Sequence, residues 1–466
     1  MWITSTILKI KGLSPRLTLF ATAGVFLIAC TVNPPSSAVP VATSGTMPPL
    51  VHPATSSPAS ILTPTPTASS LPTTSTPTIS SPTPTPVFVS SPPVPTITWT
   101  FVPTGVVPQN AVAFSSNMRT GGTDFDIWLI RSDGSSPSLL PTWSCDPSDD
   151  SRSETHPGWS PDGHKLAFIS KPSRNDEPQL ICVFDFDKGT IMAFPKSQSI
   201  YAFSWAPDSR QIVYTTSEGL RIANLDHRDQ PRLFYRVPSD RVSWAPDGLK
   251  IGLGRGKWES EDPTGLEIVD LSGGLFKPED VARTLGAGAG IVEDISWSPD
   301  GKYALVSYAA SRWGGYLALF QVDAQNRLFS LKESVSDFAH YPDGLDYCQS
   351  SWSPNGSRIV FVSGGPFYSS DCAGHLYVAD ADLSNITQLI PGEDFFRSPS
   401  WSPDGHSILF AKAREVYDDQ GEPGPSPGPS ESIWIIDSDG TDLRRLVGGD
   451  GYEYSRPVWQ PLLQEP

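Results

Sequence analysis

Seven tryptophans recur through the C-terminal three-quarters of the chain, and six of them head the same short turn. They are Trp159, Trp205, Trp244, Trp297, Trp352, Trp401 and Trp459, spaced by 46, 39, 53, 55, 49 and 58 residues. Behind the first six stand Ser160-Pro161-Asp162-Gly163, Ala206-Pro207-Asp208-Ser209, Ala245-Pro246-Asp247-Gly248, Ser298-Pro299-Asp300-Gly301, Ser353-Pro354-Asn355-Gly356 and Ser402-Pro403-Asp404-Gly405. A period near 50 residues means one supersecondary unit packed against copies of itself.

The unit at Trp401 shows what is repeated. Pro403 presets φ for a turn, and Gly405 takes the left-handed position. The turn joins a strand carrying Trp401 to the apolar run Ser407-Ile408-Leu409-Phe410-Ala411. A loop leads to Ser432-Ile433-Trp434-Ile435-Ile436, and Asp439-Gly440 turns the chain into a weaker outer strand at Leu443-Arg444-Arg445-Leu446. Four antiparallel strands, repeated without helical periodicity, predict an all-β fold, a seven-bladed β-propeller. The alternative is six blades with one unit as an insertion. Each repeated Trp is expected to plug the space between adjacent blades, where burial removes about 150–250 Å² from water.

The ends of the array predict how the ring closes. The first unit lacks a Trp strand and starts at Ala111-Val112-Ala113-Phe114. The last has only that strand, Arg456-Pro457-Val458-Trp459. The last segment should therefore complete the first blade and leave no open edge in the ring. The propeller is assigned to residues 109–466, about 51 residues per blade. Ser209 stands where the other turns have Gly, at a cost of roughly 1–2 kcal/mol for a left-handed residue with a Cβ.

Trp-Ser-Pro-Asp-Gly, an apolar strand, then Asp126-Ile127-Trp128-Leu129-Ile130 with Asp133-Gly134 close behind, resembles the WD-like Pro-Asp repeat of TolB-family propellers. The resemblance implies the propeller fold and a role in recognition at the cell envelope. No segment matches the α/β domain that precedes the propeller in TolB itself. Propellers of this kind also cap prolyl-oligopeptidase-type peptidases, where a separate hydrolase domain carries the chemistry.

Residues 1–29 read as a lipoprotein signal peptide. Lys9, Lys11 and Arg16 precede a 13-residue apolar run, too short to span a bilayer. It ends Leu27-Ile28-Ala29-Cys30, which resembles the bacterial lipobox, and Cys30 is the expected lipidation site. Residues 30–108 hold no charged residue and are dominated by Pro, Thr and Ser, so they read as a disordered tether. The expected location is the bacterial cell envelope, on the extracytoplasmic face, with the lipid bilayer engaged through the Cys30 acyl anchor.

All 50 acidic residues lie at or beyond Asp124, and the propeller carries a net charge of −20. That excludes nucleic acid as a partner. The cysteines other than Cys30 are even in number in an exported chain, so disulfides are expected. Cys145 and Cys182 flank Trp159, with Cys182 inside a strand; Cys348 and Cys372 flank Trp352 and sit on two loops of one face, where they can meet.

A search for chemistry finds no catalytic motif. Gly424-Pro425-Ser426-Pro427-Gly428 matches a nucleophile elbow only formally, because its Pro-Gly-rich surroundings cannot build the required strand, turn and helix. Asp437-Ser438-Asp439-Gly440 lacks the downstream Glu of a calcium loop. No metal or cofactor is expected, and the chain is expected not to be an enzyme. The long loops gather aromatics on one face, and Trp258, Trp313, Phe367 and Tyr368 are the ligand-face candidates. The reading is a monomeric module binding an envelope protein, peptide or glycan. The alternative is a propeller enzyme acting on envelope or extracellular glycans or peptides. Carboxylates, His and Arg converging at the mouth of the central channel would favour that alternative.

Overall fold

A computed structural model of the chain describes residues 100–463, except for loop stretches 142–144, 146–151, 173–177, 255–265, 277–290, 333–345, 366–372 and 415–428 and shorter breaks elsewhere. Every regular element in it is a strand. Blade 1 holds β1 (Thr100–Phe101), β2 (Ala111–Ser116), β3 (Asp126–Arg131) and β4 (Ser138–Leu139). Blade 2 holds β5 (Ser153–Trp159), β6 (Lys165–Lys171), β7 (Leu180–Asp185) and β8 (Thr190–Ala193). Blade 3 holds β9 (Ile200–Trp205), β10 (Gln211–Thr216), β11 (Gly219–Asn224) and β12 (Arg232–Tyr235). Blade 4 holds β13 (Arg241–Trp244), β14 (Lys250–Gly254), β15 (Leu266–Asp270) and β16 (Leu275–Phe276). Blade 5 holds β17 (Ile291–Trp297), β18 (Tyr303–Ser311), β19 (Gly314–Val322) and β20 (Leu328–Lys332). Blade 6 holds β21 (Asp346–Trp352), β22 (Arg358–Gly365), β23 (His375–Asp380) and β24 (Thr387–Gln388). Blade 7 holds β25 (Phe396–Trp401), β26 (Ser407–Ala413), β27 (Ser430–Asp437) and β28 (Arg444–Gly448), and β29 (Tyr454–Trp459) returns to blade 1.

The fold is a seven-bladed β-propeller. Its innermost strands touch in the cyclic order β5, β9, β13, β17, β21, β25, β29 and back to β5. The second and third strands of each blade lie between neighbouring blades and are buried on both faces, as β2 (Ala-Val-Ala-Phe-Ser-Ser) and β7 (Leu-Ile-Cys-Val-Phe-Asp) are throughout. That is why they read as apolar runs rather than alternating patterns. The outer strands β8 and β12 remain partly exposed.

The recurring turn is held by its own side chains. In blade 2, Lys165 N donates to Ser160 Oγ at 2.9 Å, His164 N to Asp162 Oδ1 at 3.0 Å, and Gly163 N to Ser160 O at 2.8 Å. Blade 7 repeats the pattern through Ser402, Asp404 and Gly405. Ser209 does adopt the left-handed conformation, with φ 57°. Its hydroxyl accepts the Asp162 N–H of the neighbouring blade at 3.0 Å, an inter-blade bond that glycine could not make and that offsets the backbone cost.

The Trp side chains are inter-blade plugs, 5–8% exposed in all but Trp459, which is partly buried. Five also donate their indole N–H to the carbonyl just before the Trp of the preceding blade: Trp205 to Gly158, Trp297 to Ser243, Trp352 to Ser296, Trp401 to Ser351 and Trp459 to Ser400, at 2.9–3.2 Å. Trp159 and Trp244 keep the position without that bond.

Ring closure has three parts. β29 pairs antiparallel with β2, setting Trp459 opposite Val112. Gln460 exchanges bonds with Ala111 through both its backbone and its side chain, and its Nε2 reaches Gly163 O at 3.0 Å. Gly163, φ +77°, is approached so closely that a Cβ there would meet Leu463 at 2.8 Å and Pro461 O at 3.1 Å. The first blade also reaches further upstream than residue 109. β1 adds a fifth strand, parallel to β4, and Val102 is buried behind it. Residues 100–102 are thus part of the blade rather than of the tether.

Candidate functional site

The inner strands depart from regular pairing at one recurring level. β-Bulges interrupt β5 between Thr155 and Gly158, β17 between Val292 and Asp294, β21 between Cys348 and Ser350, and β25 between Arg397 and Ser400. The β2–β29 ladder slips at the same level. His156, Gln349, Ser398 and Arg456 there are left-handed, with φ of 58°, 45°, 52° and 51°. Such non-glycine backbones cost on the order of 1–3 kcal/mol each and gather at functional sites. All four stand three residues before the repeated Trp. The same column continues through Ala202, Arg241 and Asp294, so one residue from each blade forms a ring at the channel. None of the seven is fully buried.

Six of this ring line a cavity of about 540 Å³. A smaller recess of about 220 Å³ adjoins it where the inner strands begin, on the face of the long loops, and Arg397 and Tyr454 join His156, Gln349, Ser398 and Arg456 around it. The acids and amides stitch one blade to the next. Asp294 Oδ2 accepts from Ser350 N at 2.8 Å and from its hydroxyl at 3.3 Å. Gln349 Oε1 accepts from Ser398 N at 2.5 Å. Arg241 donates from Nε to Glu293 O at 2.7 Å, and its Nη2 lies 3.4 Å from the Glu293 carboxylate. Burial pushes the carboxyls of Glu293 and Asp294 up. His156 is held well below the usual histidine range, first by its enclosure and then by Arg456, Lys171 and Arg241, so it is neutral at pH 7.

A polar seam, buried except at Arg119, runs between blades 1 and 2. Arg119 forks onto Asp126 at 2.8 and 2.9 Å. Ser170 donates to Glu154 at 2.9 Å and accepts from Arg152 at 2.8 Å. Burial is the main cause that pushes Glu154 up to about 8, and Asp126 adds to it. A carboxyl raised on folding is neutral in both states below its unfolded value near 4.5, costs stability progressively as pH rises from there to about 8, and leaves that loss constant above it. Glu154→Gln keeps the Ser170 bond and carries no charge. Its unfolding free energy in urea should match wild type below about pH 4 and lead it by up to about 4 kcal/mol at pH 9. Parallel pH profiles for the two proteins would refute this origin of the shift.

The residues singled out from sequence fall elsewhere. Trp258, Trp313, Phe367, Tyr368, Cys372 and Cys30 lie outside the described residues, as does the Gly424–Gly428 motif. Cys348 lies on β21 beside Gln349, in register with Val362. Cys145 and Cys182 are joined in a disulfide with Cα atoms 6.0 Å apart. Phe396 and Tyr454 open β25 and β29 and are buried; Tyr454 donates to Asp450 at 2.6 Å, and Phe395 stacks on His375 at 5.5 Å. Sequence reasoning missed the ring. Counting back three residues from each Trp was the signal that finds it.

No family model matches the chain. It is similar to Dipeptidyl-peptidase 5 of Porphyromonas gingivalis, 22% identical over 341 residues, which cover 67% of this chain and 44% of that protein. It is 27% identical over 247 residues to the Tol-Pal system protein TolB of Alcanivorax borkumensis, covering 50% and 53% of the two chains. A shorter match, 23% over 111 residues, is to the uncharacterized peptidase YuxL of Bacillus subtilis, covering 24% and 15%. The chain spans about half the length of the first two relatives. The propeller is TolB-like, as its turn motif implied. The expectation that the chain is not an enzyme is corrected: two of these relatives are named as peptidases, and this chain is similar in sequence to part of each.

Proposed function

We propose that this TolB-like propeller belongs to a peptidase-type protein of the cell envelope and receives peptides at the mouth of its central channel. The observation that carries the reading is the convergence of His156, Arg241, Glu293, Asp294, Arg397 and Arg456 at one channel mouth, on backbone held in bulges. A rigid ring of polar side chains over a cavity of about 540 Å³ has room for several residues of extended chain. The similarity to a dipeptidyl-peptidase over 67% of the chain supports peptides over glycans as substrates. The TolB match supports the envelope as the setting.

The test compares wild type with Ala202→Trp, which places a bulky ring in the channel without disturbing a buried core position. Random hexapeptides are incubated with the purified full chain, and retained and cleaved peptides are read by mass spectrometry. Wild type should retain or cleave peptides, and the plugged variant should lose at least tenfold with an unchanged melting temperature. Retention of oligosaccharides with indifference to peptides would replace the reading.

The anchor is part of the same proposal: Cys30 carries acyl chains that hold the propeller at the membrane, at about 0.8 kcal/mol per buried methylene. Labelling cells with a fatty-acid analogue should mark wild type and leave Cys30→Ala unmarked. Equal labelling of both would remove the anchor from this account.

A further inference from the structure

We infer that the channel mouth anchors the C-terminal carboxylate of a bound peptide, with Arg456 as the principal contact and His156 beside it. The inference rests on the peptide reading above and adds which end of the peptide enters the ring.

The argument starts from a contrast. The propeller is strongly acidic, yet the charged groups that act on His156 among the described residues are all cations: Arg456, Lys171 and Arg241. Glu453 lines the adjoining recess, and two further acids of the mouth are already engaged. Asp294 is tied to the backbone and hydroxyl of Ser350, and Glu293 faces Arg241. Both carboxyls are also raised by burial, which weakens their hold on negative charge. Arginine keeps its charge at any pH the fold survives. The mouth therefore attracts an anion despite the charge of the whole.

The shape of the donors selects the kind of anion. A guanidinium presents paired N–H groups that match the two oxygens of a carboxylate. Arg456 is exposed, and its left-handed backbone sets it on the channel rim rather than in the β2–β29 ladder. His156 Nδ1 lies 2.9 Å from Thr155 Oγ. A Thr155 hydroxyl that donates to Nδ1 leaves Nε2 protonated, a neutral donor for a second carboxylate contact. Each peptide chain ends in one such carboxylate, and a closed ring favours an end over a mid-chain segment because an end enters without threading.

The experiment uses two random hexapeptide pools, both N-terminally acetylated, one with free C-terminal carboxylates and one amidated. Each is passed over immobilised full-chain protein at pH 7 and quantified by mass spectrometry. The free-acid pool should be retained at least tenfold better than the amide pool. Arg456→Met should bring the two within twofold of each other, and Arg456→Lys should restore part of the difference. On wild type, bound free-acid peptide should raise the His156 imidazole titration by a pH unit or more in NMR, a readout that does not depend on any variant folding. Equal retention of both pools would overturn the carboxylate assignment and leave the peptide reading intact. Enrichment of internal Asp or Glu in the amide pool would overturn the C-terminal assignment. Retention of neither pool would overturn this inference together with the peptide reading.

Discussion

Deletion of residues 455–466 is expected to cost at least about 5 kcal/mol, and the truncated protein should aggregate or melt 10 °C or more below wild type. The deletion removes nearly all of β29 and with it the inner strand of blade 1. It opens the β2 edge, which is otherwise buried throughout. It takes away Trp459 and its bond to Ser400 O, so blades 7 and 1 lose their plug. It also removes Gln460, which satisfies Ala111 and Gly163 from opposite sides of the seam. Loss of a large core side chain alone costs about 3–5 kcal/mol. A melting curve that coincides with wild type would show that the ring does not depend on this closure.

The second large effect is expected at Trp401. It is 5% exposed, donates to Ser351 O at 3.1 Å, and lies under the Arg358 guanidinium at 5.7 Å. Trp401→Ala should lose about 3–5 kcal/mol of stability in urea unfolding. The informative comparison is Trp→Phe. At Trp401 it breaks the inter-blade bond and strands the Ser351 carbonyl, a loss of about 1–2 kcal/mol beyond the smaller ring. At Trp244 the indole N–H is buried without an acceptor. Trp244→Phe removes that uncompensated donor and should be close to neutral. Equal losses at the two positions would mean that the indole bonds contribute nothing and the plugs act by volume alone.

The fold was legible because its signal is repeated identity. Trp, Pro, Asp and Gly recur where φ, a cap and an inter-blade gap demand them, and each copy reinforces the reading of the others. Even the exception at Ser209 was visible as a cost, although the bond to Asp162 that offsets it was not. The ring at the channel was hidden by the opposite property. Its seven positions hold His, Ala, Arg, Asp, Gln, Ser and Arg, so the column looks like variation unless it is counted from the Trp. Bulges leave no composition signal of their own, and an aromatic-rich loop draws attention away from a strand. β1 escaped for another reason: two residues, Thr100 and Phe101, at the end of a Pro-rich stretch carry too little pattern to announce a strand.

The closure joins Ala111 to Gln460 across 349 residues, the most distant pairing in the sheet of blade 1. Blades 2 to 7 are built from neighbouring hairpins and can form as soon as their own sequence is present. Blade 1 cannot. During synthesis, β2 and β3 must wait with an open edge until Gln460 has been delivered, while six blades assemble beside them. Local pairing is fast and the last clasp is slow, since its loop entropy is met only at the end. The interval between them is when this protein is most exposed to pairing with another copy of itself. A chaperone that shields β2 during that interval would raise the yield of folded protein without touching the finished ring.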